Sequence, residues 1–138
     1  MSSNNNDMSE IKILIVEDES EVRFMIKDML KDIGLYQVYE ASSGEDALSF
    51  INTAPDMVDM IICDWNMPSM SGLELLKRVR AVDEGFPFLM VTGRMDKTSV
   101  VDAKESGVSA YIAKPFTPEQ LEAKIRIVVH RMRLRASR

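Results

Sequence analysis

Short apolar runs punctuate the chain, and stretches with apolar residues every three or four positions lie between them. Residues 11–16, 36–41, 58–63, 88–91 and 110–112 read as strands. Val22, Ile26, Met29, Leu30 and Ile33 keep helical spacing, and Gly34 supplies a stop. Ser42 with Glu45, and Ser71 with Glu74, have capping-box spacing ahead of further helical faces. Asp96 is placed to cap a helix reaching Ser106 and stopped at Gly107. Thr117-Pro118-Glu119-Gln120 combines a cap, a proline at the first helical position and a capping-box glutamine.

Strands alternating with helices predict an α/β fold: a parallel sheet, doubly wound, with right-handed crossovers and helices on both faces. In such a sheet the polar residues at the strands' C-terminal ends gather in one crevice. Here these are Glu17, Asp18, Asp64, Thr92 and Lys114. Asp64 is the most telling. An apolar run ends at its carboxylate, and a Met-Pro turn follows at Met67-Pro68. If the first and third strands are neighbours, Glu17 and Asp18 converge on Asp64. Converging carboxylates repel unless a cation lies between them. Hard oxygen ligands suit Mg²⁺, which keeps several waters and leaves room for a phosphate.

Composition narrows the field. A chain of 138 residues, 46% hydrophobic and 28% charged, suits one soluble domain with a core of its own. The net charge of −5 disfavours non-specific nucleic-acid binding. No apolar stretch has the ~18 residues of a membrane span. The polar N-terminus has no secretory pattern, so a cytoplasmic location without membrane insertion is expected. Residues 1–9 read as a disordered tail, 10–135 as the domain and 136–138 as a C-terminal tail. Cys63 is the lone cysteine and excludes an internal disulfide.

The set Glu17-Asp18, Asp64, Thr92 and Lys114-Pro115, in this order, resembles the receiver domain of two-component response regulators. The stretches from Asp64 to Leu76, Leu89 to Thr92 and Lys114 to Thr117 are most similar to its single-domain, chemotaxis-type members. The resemblance covers nearly the whole chain from Glu10 on. It implies five strands in the order 2-1-3-4-5, a flavodoxin-like arrangement that spacing alone does not give. It also implies a role for each residue. Asp64 is the phosphoacceptor. Asp18 binds Mg²⁺ directly, Glu17 binds it through water, and Asn66 offers a backbone carbonyl. Lys114 pairs with the phosphoryl group, and its bond to Pro115 is cis. Thr92 moves to hydrogen-bond the phosphoryl oxygen, and Tyr111 changes rotamer with it. Asn66 and Arg94 flank the path of the water that hydrolyses the phosphoryl group and so tune its lifetime.

Each residue also has a plainer reading. Asp64 could be a turn residue, Glu17 and Asp18 could complement a helix dipole, and Thr92 could bond to its own loop. Asn66 could be a turn residue, Tyr111 a half-buried strand aromatic, and Lys114 and Arg94 solvated cations. Met25, Met29, Met60, Met90 and Met132 read as core filler. Met67, Met70 and Met95 fall in crevice loops as candidate contact surface. Arg131, Arg133, Arg135 and Arg138 match the dipole of the last helix.

Three function classes compete. An aspartate-nucleophile phosphatase needs an acid two residues past its nucleophile, where this chain has Asn66. A flavin binder needs a phosphate-cradling loop after the first strand, where Glu17-Asp18-Glu19 would repel a phosphate. A phosphorylation-controlled interaction module fits best. The expected partners are a histidine kinase or phosphotransfer protein and a downstream protein target that the sequence does not identify. No DNA-binding domain is seen, and a phosphate shuttle or sink in a phosphorelay is the nearest alternative. The expected chemistry is self-phosphorylation from phosphodonors and self-dephosphorylation, a switch rather than an enzyme acting on an external substrate.

Overall fold

The computed structural model describes residues 8–136. Five strands form one parallel sheet: β1 (Lys12–Val16), β2 (Gln37–Ala41), β3 (Met60–Asp64), β4 (Phe88–Thr92) and β5 (Ala110–Ala113), in the order β2-β1-β3-β4-β5. Helices α1 (Ser20–Ile33), α2 (Gly44–Thr53), α3 (Gly72–Val82), α4 (Lys97–Glu105) and α5 (Pro118–Ala136) supply the crossovers. A single 3₁₀ turn at Pro55–Met57 precedes β3.

Between Lys12 at the start of β1 and Asp64 and Thr92 at the ends of β3 and β4, the central strands are apolar throughout, because both faces are covered. Alternation then sorts their side chains. Ile13, Ile15, Met60, Ile62, Leu89 and Val91 pack with Ile26 and Leu30 of α1 and Leu121, Ile125 and Val128 of α5. Leu14, Val16, Ile61, Cys63, Phe88 and Met90 pack with Ala47 of α2, Leu75, Leu76 and Val79 of α3, and Ala103 of α4. Two apolar layers thus clamp the sheet, and the C-terminal ends of β1, β3, β4 and β5 lie along one edge of it.

Local signals act largely as the sequence indicates. Gly34 ends α1 at φ 102°, and Gly107 follows α4 at φ 88°, both in left-handed territory. Ser71 and Glu74 form a reciprocal capping box, and Thr117 and Gln120 exchange the same pair of bonds. Asp96 accepts from the Ser99 N–H at 3.0 Å.

Other expectations shift. The cap of α2 is Ser43, which accepts from Asp46 N–H at 3.0 Å, rather than Ser42 with Glu45. Strand β3 starts at Met60 rather than residue 58, since the Asp59 carboxylate turns back to take the Lys12 N–H at 2.9 Å. It also runs one residue further, so Asp64 is its last member. The tail assigned to residues 1–9 lies mainly outside the described residues, but Met8 is buried in the α1/α5-side core and its carbonyl accepts from Ile11 N–H. Ala136, assigned to a tail, ends α5. Residues 137 and 138 lie outside the described residues. Among the methionines, Met60 and Met90 are fully buried, while Met25 is 42% exposed and so is not core filler. Met70 is buried against Gly44 and is not contact surface, unlike the exposed Met95.

Candidate functional site

The crevice is made by the loops that leave β1, β3, β4 and β5. Glu17 directly follows β1 and is fully buried; its N–H continues the sheet by donating to Ala41 O at 3.1 Å. Its carboxylate divides its work. Oε2 accepts from the Glu19 N–H at 3.0 Å, and Oε1 lies 3.4 Å from the Lys114 ammonium. Asp18 is exposed at the rim. Asp64 is 5% exposed, and its Oδ1 meets Lys114 Nζ at 3.0 Å. Carboxylate oxygens of Glu17, Asp18 and Asp64 lie within 4.8 Å of one another.

Charge in this cluster does not balance. Three carboxylates face one ammonium. Burial pushes the Asp64 carboxyl above its ordinary value despite the bond to Lys114, and burial likewise raises Glu17 despite the Glu19 N–H. Burial pulls Lys114 down, but its bond to Asp64 and the nearby Glu17 more than offset that and raise it. Neighbouring Cys63 is wholly buried, and its thiol is pushed well above its ordinary value, so it is inert. Surplus negative charge on hard oxygen donors, one carboxylate at the solvent rim, suits a small divalent cation.

Thr92 is fully buried at the end of β4. Its Oγ1 accepts from the Arg94 N–H at 2.8 Å, so its hydroxyl is turned to its own loop. The half-buried Tyr111 donates its hydroxyl to the Arg94 carbonyl. Arg94 in turn donates Nε to Asn66 Oδ1 at 2.9 Å, and its guanidinium lies 5.5 Å from the centroid of the Trp65 ring. Arg94 is exposed, yet its head is tied to Asn66 and the Trp65 face. The Lys114–Pro115 bond is cis, as the resemblance implies.

Two contributors have no assigned role in the sequence reading. Trp65 is buried and meets Tyr111 edge-on at 6.4 Å, linking the Asp64 loop to β5. Arg23 donates Nη1 to the Glu17 carbonyl at 2.7 Å. Trp65 stands beside Asp64 and could have been marked by adjacency. Arg23 looks like any exposed-face residue of α1, and only the fold brings it to the β1 loop.

Residues 13–126 match the response regulator receiver domain, and the chain belongs to that family. It is 39% identical over 124 residues to the chemotaxis protein CheY of Pseudomonas aeruginosa, covering 88% of this chain and 98% of that protein. It is 43% identical over 121 residues to a CheY homolog of Campylobacter jejuni, covering 86% and 92%. Among solved structures, Vibrio cholerae CheY4 superposes with a TM-score of 0.78 at 34% identity, covering 86% of this chain and 98% of that one. A receiver domain protein from Clostridium thermocellum superposes with a TM-score of 0.83 at 29% identity, covering 90% and 98%. The protein is thus a response regulator of two-component signalling. Among the described residues no helix is long and apolar enough to cross a membrane.

Proposed function

We propose that Asp64 accepts a phosphoryl group from a phosphohistidine of a kinase or phosphotransfer protein, and that the adduct switches binding to a downstream protein, with chemotaxis the favoured setting. The observation that carries this is the Asp64–Lys114 contact of 3.0 Å inside the cluster of Glu17, Asp18 and Asp64. In the transfer an Asp64 Oδ–P bond forms as the donor's N–P bond breaks, and the freed histidine nitrogen keeps the electron pair. The Lys114 ammonium, already on Oδ1, is placed to follow the negative charge onto the phosphoryl oxygens. Glu17 and Asp18 would hold Mg²⁺ together with Asp64, Glu17 through water, with the Asn66 carbonyl as a further oxygen. The bound cation would neutralise the incoming oxygens.

The switch follows from what Thr92 must give up. Its hydroxyl now accepts from the Arg94 N–H, and a shift toward a phosphoryl oxygen would draw it away from that bond. That loosens the loop whose carbonyl holds Tyr111, so the ring can change rotamer. Hydrolysis by a phosphatase-like route is disfavoured: the Asn66 side chain cannot donate an acidic proton, and its oxygen is occupied by Arg94. Incubation with acetyl phosphate and Mg²⁺ followed by mass measurement tests the site. One phosphoryl addition is expected on the native protein and none on Asp64→Asn. A comparable adduct on Asp64→Asn would overturn the assignment.

A further inference from the structure

The loop that carries Glu17 and Asp18 is held from behind by a side chain that meets Glu17 at its backbone carbonyl, not at its carboxylate. Glu17 is the last residue on β1's path along the sheet. Its N–H is satisfied by Ala41 O at 3.1 Å, while its carbonyl points out of the ladder toward α1. There Arg23 Nη1 donates to it at 2.7 Å, a short charge-assisted bond. The guanidinium is fixed a second time, with Nε on Glu40 Oε1 at 3.0 Å, and Lys27 Nζ holds the other Glu40 oxygen at 3.1 Å. Arg23 also closes the loop through its backbone, its N–H meeting Glu19 O at 3.0 Å. The Arg23 side chain is only 19% exposed. Edge strand β2 and helix α1 thus grip one carbonyl between them.

We infer that Arg23, steadied by Glu40, is a positioning residue for the divalent-cation site: it fixes the peptide plane between Glu17 and Asp18 and so aims the Asp18 carboxylate at Asp64. Glu17 has anchors of its own, in Glu19 N–H and Lys114. Asp18 stands exposed at the rim, and its direction depends on the peptide that leads into it. Partners that orient ligands in this way typically change metal affinity by about ten- to a hundredfold when removed. The inference rests on the proposed cation site.

The sign of the effect separates positioning from simple charge. Arg23 is a cation behind a cation site, so deleting it should tighten Mg²⁺ binding if only its field matters. Positioning requires the opposite. Mg²⁺ titration of the purified protein, followed by fluorescence of Trp65 and by calorimetry, reads this without any phosphorylation. Arg23→Ala is expected to bind Mg²⁺ about tenfold more weakly than the native protein. Arg23→Lys, equal in charge but without the two-point fork, is expected to fall between them. Melting of both variants in chelator should leave them folded at the titration temperature. Equal or tighter binding by Arg23→Ala would overturn the inference. If the alanine variant does not fold, native-like affinity in Arg23→Lys would overturn it instead. A native protein with no saturable Mg²⁺ response would overturn the cation reading itself, a different result from equal affinities.

Discussion

A methyl group added at Gly72 would lie 2.3 Å from the Asp64 carbonyl oxygen and 2.8 Å from Trp65 Cα. These are backbone atoms at the end of a buried strand and cannot swing aside. The Gly72 N–H also donates to Trp65 O at 2.8 Å, so α3 starts in direct contact with the residue that follows Asp64. Gly72→Ala is therefore expected to cost about 1–3 kcal/mol, as overpacking does, and to slow acetyl-phosphate labelling of whatever remains folded. Denaturant melts and labelling rates check both; native-like values in each would show that the loop yields. Arg94 gives a second residue-scale expectation. Its guanidinium bridges Asn66 and the Trp65 face, across the rim beside Asp64. Arg94→Ala should uncover that rim, release the Asn66 side chain and speed self-dephosphorylation several-fold, with Mg²⁺ affinity nearly unchanged. A decay rate equal to or slower than native would exclude the shielding role. Asp64, Glu17, Asp18, Thr92 and Lys114 are all legible as polar residues ending apolar runs. Arg23 and the docking of Arg94 are not, because both depend on contacts made across the fold.

At the scale of elements, the start of α2 shows where sequence patterns leave a choice. Ser42 with Glu45 and Ser43 with Asp46 both fit a serine followed three positions on by an acid. Packing selects the second. Gly44 is the first residue of the helix and packs against Met70, whose Sδ would be 2.7 Å from an added Cβ, which leaves Ser43 at the cap. Ser43→Ala should accordingly destabilise by about 1 kcal/mol, the usual worth of an N-cap, and Ser42→Ala by clearly less. Equal losses in denaturant melts would mean the cap is shared. Met70 and Met25 trade their expected places for a similar reason: spacing shows that a residue is apolar but not what a neighbouring loop will cover. The switch belongs to this scale too. Helix α4 buries only Ser99 and Ala103, so it is lightly held, and Tyr111 ties β5 to the Arg94 carbonyl just ahead of it. Beryllofluoride, an aspartyl-phosphate mimic, should shift amide NMR signals through residues 100–107 and 110–113. Changes confined to residues touching the ligand would contradict a switch through α4 and β5.

For the whole molecule, the crevice is a place where folding works against function. Strand order could not be read from spacing, since any order that buries both faces would satisfy the apolar pattern. The order β2-β1-β3-β4-β5 places β1 beside β3 and so forces Glu17 against Asp64. The consequence for stability has a definite sign. Burial raises both carboxyls above their ordinary values. Without a divalent cation, what they contribute to folding is therefore fully present below their unfolded values and is lost as pH rises through their raised folded ones. Glu40, Asp83 and Asp96 are lowered and act in the opposite direction. Burial opposes the lowering at Glu40, which Lys27 and Arg23 outweigh; Asp83 and Asp96 are lowered first by backbone N–H groups of Gly85 and Ser99. Their stabilising share is lost as pH falls. Asp64→Asn isolates the crevice from these. In chelator at about pH 7, well above the ordinary carboxylate range, Asp64→Asn should melt higher than the native protein. The gap should narrow as pH falls into the ordinary carboxylate range. Mg²⁺ should raise the native midpoint most at neutral pH, least in acid, and far less in Asp64→Asn. If Asp64→Asn melts lower than the native protein in chelator at neutral pH, the Asp64–Lys114 pair outweighs the crowding of carboxylates, and the crevice does not work against folding.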